Sequence, residues 1–403
     1  MIYQLKSRDS SARLGKLSLQ HTSPNTTNAD NTTNIDKPLE IDTPAFMPIA
    51  TQGALKGPLL RDAVAADAKI ILGNTFHLIL RPGLDLLRSY GGLHKFLGLS
   101  AWKGAILTDS GGYQVFSLSD MRSLSEEGVK FNSPIDGDKL FLSPESATEA
   151  QHIIGADIIM CFDECLAYPA THTSAKKSME LSLRWAARCK ETHTRLLQES
   201  QDKSHANEQT TQPKMFGIVQ GGVYKDLRKT SAEQLIEMEF DGYAVGGLAV
   251  GEPQEKMLEV AAYMNEILPQ DKARYLMGVG TPADLVEAVA LGFDMFDCVL
   301  PTRNARNGQL FTANGVIKIR NAQYRENQNP PQDDCECYCC QNYSLGYLHH
   351  LFRCSEMSGP QLAATHNIFY YQKLMGDMRS AIEENRFNRF IDNFYAKYLK
   401  NNN

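Results

Sequence analysis

The sequence predicts a (β/α)8 TIM barrel with a metal-binding insertion or subdomain towards its C-terminal end. Three observations lead there. Eight short apolar runs recur along the chain: AFMPIATQG (45–53), KIILGNTF (69–76), GAILTDSGG (104–112), DIIMCFDE (157–164), MFGIVQGG (215–222), GYAVGGLAVGE (242–252), RYLMGVG (274–280) and MFDCVLPTR (295–303). They are too short for helices and apolar on both faces, which suits buried parallel strands, and helical patterns lie between most of them. The unusual residues fall at the C-terminal ends of the runs, which a barrel gathers onto one rim. Finally, residues 335–340 read CECYCC, a cysteine density that calls for a metal. An open doubly wound sheet is the competing architecture, but it usually has fewer strands.

Residues 1–44 read as an N-terminal hairpin region, 45–303 as the barrel core, and 304–403 as a metal-binding subdomain followed by C-terminal helices. Two polar, low-complexity stretches, 21–38 and 199–213, cannot bury enough apolar surface to offset the entropy of ordering, and read as loop insertions dispensable for catalysis. The first extends a hairpin between ARLGKLSL and TPAFMPIA. Among the helices, the one after RYLMGVG is the clearest. Thr281 serves as N-cap, Pro282 fits the first helical position, Leu285, Val286 and Val289 form an apolar face, and Gly292 terminates it.

Hydrophobic residues make up 42% of the 403, enough for a large core. No apolar stretch approaches the roughly eighteen residues that cross a bilayer, and MIYQLKSRDS lacks the apolar core of a signal peptide, so a cytoplasmic protein without a membrane partner is expected. The net charge of −6 argues against a protein that coats nucleic acid non-specifically, though a local basic patch could still dock a polyanion. Nine cysteines, an odd and clustered set, are poor disulfide candidates without an export signal.

Three carboxylates stand on the expected rim: Asp109, Asp163 and Asp297. Each could merely cap the next helix, but together, beside glycine pairs that let a flat ligand approach the backbone, they suggest a chemical site. Tyr113, just after Gly112, could stack on such a ligand or simply pack in the core. Cys335, Cys337 and Cys340 have the C-x-C-x2-C spacing of metal ligands. His349, His350 and His366 compete as the fourth.

The blocks TDSGGYQVFSL (108–118), FGIVQGG (216–222), GGLAVGE (246–252), YLMGVG (275–280) and FDCVLPTRNARNG (296–308), with ILGNTFHLILRPG (71–83) and CFDEC (161–165), closely resemble bacterial-type tRNA-guanine transglycosylases, the queuine tRNA-ribosyltransferases. The resemblance runs from about Ala45 to the last helices. It implies exchange of the wobble guanine in tRNAs with G-U-N anticodons for preQ1, an aminomethyl deazaguanine, on the way to queuosine. Cleaving an N-glycosidic bond makes an oxocarbenium-like centre that a carboxylate can trap covalently, giving retention when a second base displaces it. By sequence alone either Asp109 or Asp297 could attack. The resemblance makes Asp297 the nucleophile and Asp109 the general acid/base. It also implies base contacts from Asp163, Gln220, the Gly247 N–H, the Leu248 carbonyl and Glu252, with Ser110 in the same pocket. Tyr113 and Met277 would sandwich the ring, and Cys165 with Val250 would select preQ1 over queuine.

For the cysteine cluster the resemblance chooses His366 over His349 and His350 and leaves Cys339 surplus. A Cys3His set is closed, so a structural zinc is implied, not a catalytic one. Arg303 and Arg306, within the shared block next to Asp297, are expected to contact RNA phosphates. Lys318, Arg320 and Arg325 fit that role and a plain solvated surface equally. The family is commonly homodimeric, which is the expectation here. A zinc hydrolase would need an open coordination position, and a silent RNA-binding relative would be expected to lack a rim carboxylate. An archaeal-type enzyme would be expected to carry extra C-terminal RNA-binding domains.

Overall fold

The computed structural model describes residues 2–19, 38–98, 101–114, 122–204 and 212–399. The chain opens with an antiparallel sheet of β1 (Ile2–Asp9), β2 (Ala12–Leu19) and β3 (Leu39–Thr43). The barrel begins with β4 (Ala45–Pro48), β5 (Ile70–Gly73) and β6 (Ala105–Thr108). A three-stranded antiparallel sheet follows, β7 (Arg122–Leu124), β8 (Val129–Asn132) and β9 (Lys139–Leu142). The barrel resumes with β10 (Ile158–Met160), β11 (Lys214–Val219), β12 (Gly242–Val245), β13 (Ala273–Leu276) and β14 (Met295–Cys298). A hairpin of β15 (Gln309–Thr312) and β16 (Gly315–Lys318) stands after it.

All eight predicted runs carry a barrel strand. Their order is β4-β14-β13-β12-β11-β10-β6-β5, and a parallel bridge from Ile49 to Leu72, with Ala50 N–H donating to Leu72 O at 2.7 Å, closes the ring. Strands such as β4, β5, β6 and β14 are buried at every position, because side chains fill the barrel inside and helices cover it outside. The helix Pro282–Ala290 is capped as its sequence indicates: Thr281 Oγ accepts from Asp284 N–H, Pro282 occupies the first turn, and Gly292 follows at φ +88°.

Three details correct the sequence reading. The partner of β2 is LEIDT (39–43), so the hairpin closes one strand earlier than TPAFMPIA, which enters the barrel instead. Residues 199–204 complete the long helix His172–Ser204, so the polar stretch is not a loop throughout; these polar residues propagate a helix begun by the apolar face upstream. Of the two proposed insertions, 21–37 and 205–211 lie outside the described residues. The sheet β7–β9 carried no recognisable signal, its strands being three or four residues long.

The helix Ser358–Glu383 is shared. Leu362, Ala363 and Ala364 pack in a small cluster with Leu310, Ile319, Leu348 and Phe352, while Tyr371, Leu374, Met375 and Met378 enter the barrel core. Tyr371 donates to Gly280 O at 2.5 Å and Gln372 to Phe46 O at 2.9 Å. This is the eighth barrel helix. The cysteine-bearing segment lies between β14 and that helix, as an insertion after the eighth strand.

At the opposite end of the barrel the N-terminal sheet is pinned by a buried charge. Asp294, fully enclosed just before β14, accepts from the Tyr3 hydroxyl at 2.7 Å and the Arg274 N–H at 2.8 Å, and pairs with Arg13 at 3.3 Å. Arg13 in turn donates to the carbonyls of Gln270 and Lys272. Removing one partner of such a pair strands the other charge. Asp294→Ala should cost about 3–5 kcal/mol in urea unfolding, and Arg13→Met/Asp294→Leu should recover much of it. Equal stability of wild type and Asp294→Ala would remove this pair from its anchoring role.

Candidate active site and metal centre

Strand ends place the three rim carboxylates together. Asp109 follows β6, Asp163 follows β10, and Asp297 lies within β14; each is at most 9% exposed. Asp109 and Asp163 feel each other's charge, and the Tyr275 hydroxyl on β13 feels both Asp297 and Asp109. Among the described residues no lysine or arginine pairs with any of the three.

Neighbouring strands supply donors instead. Asp109 accepts on Oδ2 from Asn74 at 2.5 Å and Gln114 at 2.7 Å, and on Oδ1 from the N–H groups of Thr75 at 2.9 Å and Gly111 at 3.2 Å. Burial still outweighs these bonds and pushes its carboxyl up to about 6. Asp163 accepts from the Ser110 hydroxyl at 3.1 Å and from Gln220 Nε2 at 2.6 Å, and burial raises it likewise to about 6. Asp297 receives both its bonds on Oδ1, from the Tyr275 hydroxyl at 2.6 Å and the Gly278 N–H at 2.8 Å; burial raises its carboxyl too. Its Oδ2 is the oxygen left for other partners.

The glycine pairs serve close approach. A Cβ on Gly112 would lie 2.6 Å from Asp163 O, and one on Gly247, at φ +62°, would lie 2.4 Å from Gln220 Oε1. The Gln220 amide therefore rests against the Gly246–Gly247 backbone. Beyond this turn Leu248 is buried and Val250 half-buried. The Glu252 carboxylate ties the turn down by accepting from Ala249 N–H at 2.5 Å and Val250 N–H at 3.0 Å. Cys165, half-buried beside Asp163, has its thiol pushed up to about 12 by burial, and so stays protonated. Met277 is half-buried and Tyr113 is 53% exposed.

Sequence reasoning did not single out Asn74, Thr75, Gln114 or Tyr275. Asn74, Thr75 and Gln114 carried a usable signal, since they fall at the ends of the ILGNTF and DSGGYQ runs. Tyr275, inside an apolar run, read as core, and only the fold shows its hydroxyl turned to a carboxylate.

The described Cys3His group is Cys335, Cys337, Cys340 and His366, all buried, with ligand atoms within 4.8 Å of one another. His366 Nδ1 faces the three sulfurs at 3.7, 3.5 and 3.3 Å. A tetrahedral ion with ordinary metal–sulfur and metal–nitrogen bonds of about 2.3 and 2.0 Å would set those edges near ~3.6 Å, so the residues fit a metal. Nε2 of His366 lies 2.8 Å from Phe311 O, which holds that nitrogen protonated and frees Nδ1 to ligate. His349 is spent on the Ile319 carbonyl at 2.8 Å, and His350 sits beside Cys354 away from the cluster. Cys339 is enclosed in the small apolar core.

Arg303 is exposed and Arg306 half-buried on the helix Leu300–Arg306, directly after Asp297; Arg306 also reaches Lys56 O at 3.5 Å. Lys318 and Arg325 are exposed. Arg320, also exposed, donates to Phe352 O at 2.8 Å and lies over the Phe352 ring. No described helix is long and apolar enough to cross a membrane.

The sequence profile of the family described as queuine tRNA-ribosyltransferase matches residues 9–400. Proteins named queuine tRNA-ribosyltransferase are similar over most of their length. The one from Psychrobacter sp. (strain PRwf-1) is 55% identical over 88% of this chain and 90% of its own. That of Psychrobacter cryohalolentis is 53% identical over 94% and 96%, and that of Actinobacillus pleuropneumoniae serotype 3 is 50% identical over 99% and 97%. A closed eight-stranded barrel, a rim of three buried carboxylates, a Cys3His insertion and these likenesses agree: the chain belongs to the queuine tRNA-ribosyltransferase family of tRNA-guanine transglycosylases.

Proposed function

We propose that this enzyme replaces guanine at the wobble position of tRNAs with G-U-N anticodons (those for Asp, Asn, His and Tyr) by preQ1, in queuosine biosynthesis in the cytoplasm. The observation that carries the reading is the contrast between two neighbouring carboxylates. Asp297 has one oxygen tethered and one open, as a nucleophile needs, whereas Asp109 is held by four donors and raised to about 6, as suits an acid/base. Asp297 attacks C1′ of the ribose and the C1′–N bond breaks, its electron pair leaving with guanine. Asp109 delivers the proton that neutralises the departing base. PreQ1 then enters, Asp109 takes its ring N–H proton, and the freed nitrogen displaces Asp297 from C1′. Two inversions give net retention. The target base must leave the RNA stack to reach this rim.

Asp163, ionised, accepts from the purine N–H and amino edge; Ser110 and Gln220 orient it, and Gln220 shares the base carbonyl with the Gly247 N–H. The Leu248 carbonyl and Glu252 read the aminomethyl group, Tyr113 and Met277 flank the ring, and Cys165 and Val250 limit its substituent. Arg303 and Arg306 contact phosphates of the tRNA beside the anticodon loop. The Cys3His site holds one structural zinc, closed to substrate, that staples an insertion whose own core is small. Homodimerisation is supported by an aromatic face on that insertion: Tyr338 is 60% and Tyr347 45% exposed, and Tyr347 stacks on Tyr343.

The reading is tested by exchange of labelled guanine into unmodified tRNA with a G-U-N anticodon, with preQ1 and queuine as competitors. Wild type should incorporate label, preQ1 should suppress it, and queuine should not. Asp297→Asn should bind tRNA yet form no covalent adduct on a denaturing gel. Adduct of unchanged yield would strike Asp297 from its role.

A pH–rate profile gives a second check. The kcat/KM for the incoming base should fall by between about tenfold and about a hundredfold per unit as pH drops below about 6, where Asp163 gains a proton and stops being a pure acceptor and Asp109 can no longer take the ring proton. A flat profile down to pH about 5 contradicts this. Stability moves the other way. The raised Asp109 and Asp163 hold protons in the folded state, so their contribution is full below the ordinary carboxylate value and is lost as pH rises through about 6.

Metal analysis gives a third. Cys335→Ser and His366→Ala should lose zinc and on the order of several kcal/mol of stability, while Cys339→Ser should retain the ion. Full zinc content in Cys335→Ser would disprove the ligand set.

A further inference from the structure

We infer that Arg228 is a positioning residue for base recognition: its guanidinium locks the loop carrying Gln220 against the loop carrying Gly247. The inference rests on the proposed base-exchange reading. Arg228 lies in the first turn of the helix Lys225–Glu237 and is fully buried. Its donors all go to backbone carbonyls: Nη1 to Val219 O at 2.7 Å, Nε to Gly222 O at 2.8 Å, and Nη2 to Gly247 O in a longer contact of 3.5 Å. Among the described residues no carboxylate forms an ion pair with it.

A buried cation without a paired anion is costly, and a purely structural staple between two loops could be made with neutral groups. What the guanidinium offers is a rigid planar fork that spans three carbonyls at once, beyond the reach of a lysine ammonium. The three carbonyls bracket the base-reading groups. Val219 and Gly222 flank Gln220, and Val219 O also accepts the Gly246 N–H at 3.1 Å. The Gln220 amide rests on the Gly246–Gly247 backbone, where either added Cβ would collide with it at 2.8 or 2.4 Å. Gln220 Nε2 carries the same register on to Asp163 at 2.6 Å. A slip between the loops would therefore misplace the Gly247 N–H, the Gln220 amide and the Asp163 carboxylate together.

The test uses full-length Arg228→Lys, which keeps the charge but not the fork, and Arg228→Gln, which removes the charge. At saturating tRNA, KM for guanine and for preQ1 should rise about tenfold or more in the Lys variant, the loss of about one charge-assisted hydrogen bond, with kcat held within about threefold. The penalty should be less than multiplicative with that of Gln220→Ala, because both act on one contact. Unchanged KM in both variants, or a fall in kcat that merely tracks a lowered melting temperature, overturns the inference. Failure of both variants to fold also overturns it, in favour of a folding role. If wild type exchanges no base, the functional reading fails on its own. Calorimetric binding of guanine then decides for Arg228, weaker binding by the Lys variant supporting it and equal binding refuting it.

Discussion

A buried carboxylate with no cation beside it must be satisfied by hydrogen-bond donors, and in this protein the donors come from adjacent barrel strands. Asp109 draws on Asn74 and Thr75 beyond β5, Asp163 on Gln220 beyond β11, and Asp297 on Tyr275 of β13 and the Gly278 turn. Each acid takes at least one donor from a neighbouring βα unit. Neighbouring strands must pair before any of the three is fully satisfied, so the site depends on the assembled sheet. The same dependence raises all three carboxyls, since burial outweighs the neutral donors.

The barrel is guarded at both ends by polar devices rather than by extra apolar mass. At the N-terminal end Asp294 ties β1 and β2 to the strands through Tyr3 and Arg13. At the C-terminal end the helix Ser358–Glu383 serves two masters. Its later turns are barrel core, and its first turns carry His366 and pack the insertion. The metal site and the catalytic rim are thus joined by one helix and by Asn367, whose side chain bonds Phe311 N–H and the carbonyls of Pro301 and Gln309.

Much of this was legible in the sequence. The eight apolar runs named every barrel strand, because a strand buried on both faces has to be apolar throughout. The carboxylates and glycine pairs showed themselves by falling where such runs end. The cysteine spacing announced a metal, and the fourth ligand was open among three histidines until the resemblance ranked them; the fold gives the physical reason, since His349 is spent on Ile319 O while His366 is oriented by Phe311 O.

What the sequence by itself determined was periodicity and composition: strand count, the strand-end residues, the metal-ligand types. Tertiary structure alone decided which partners those residues have. Tyr275 and Arg228 read as ordinary core and ordinary helix, and only the packing of neighbouring units turned a phenol onto Asp297 and a guanidinium onto three carbonyls. Likewise only the fold showed that Ser358–Glu383 belongs to the barrel and that β7–β9 intervenes after β6. The reason is physical: apolar periodicity is written locally, while a hydrogen bond or a shared core joins residues that the chain keeps far apart.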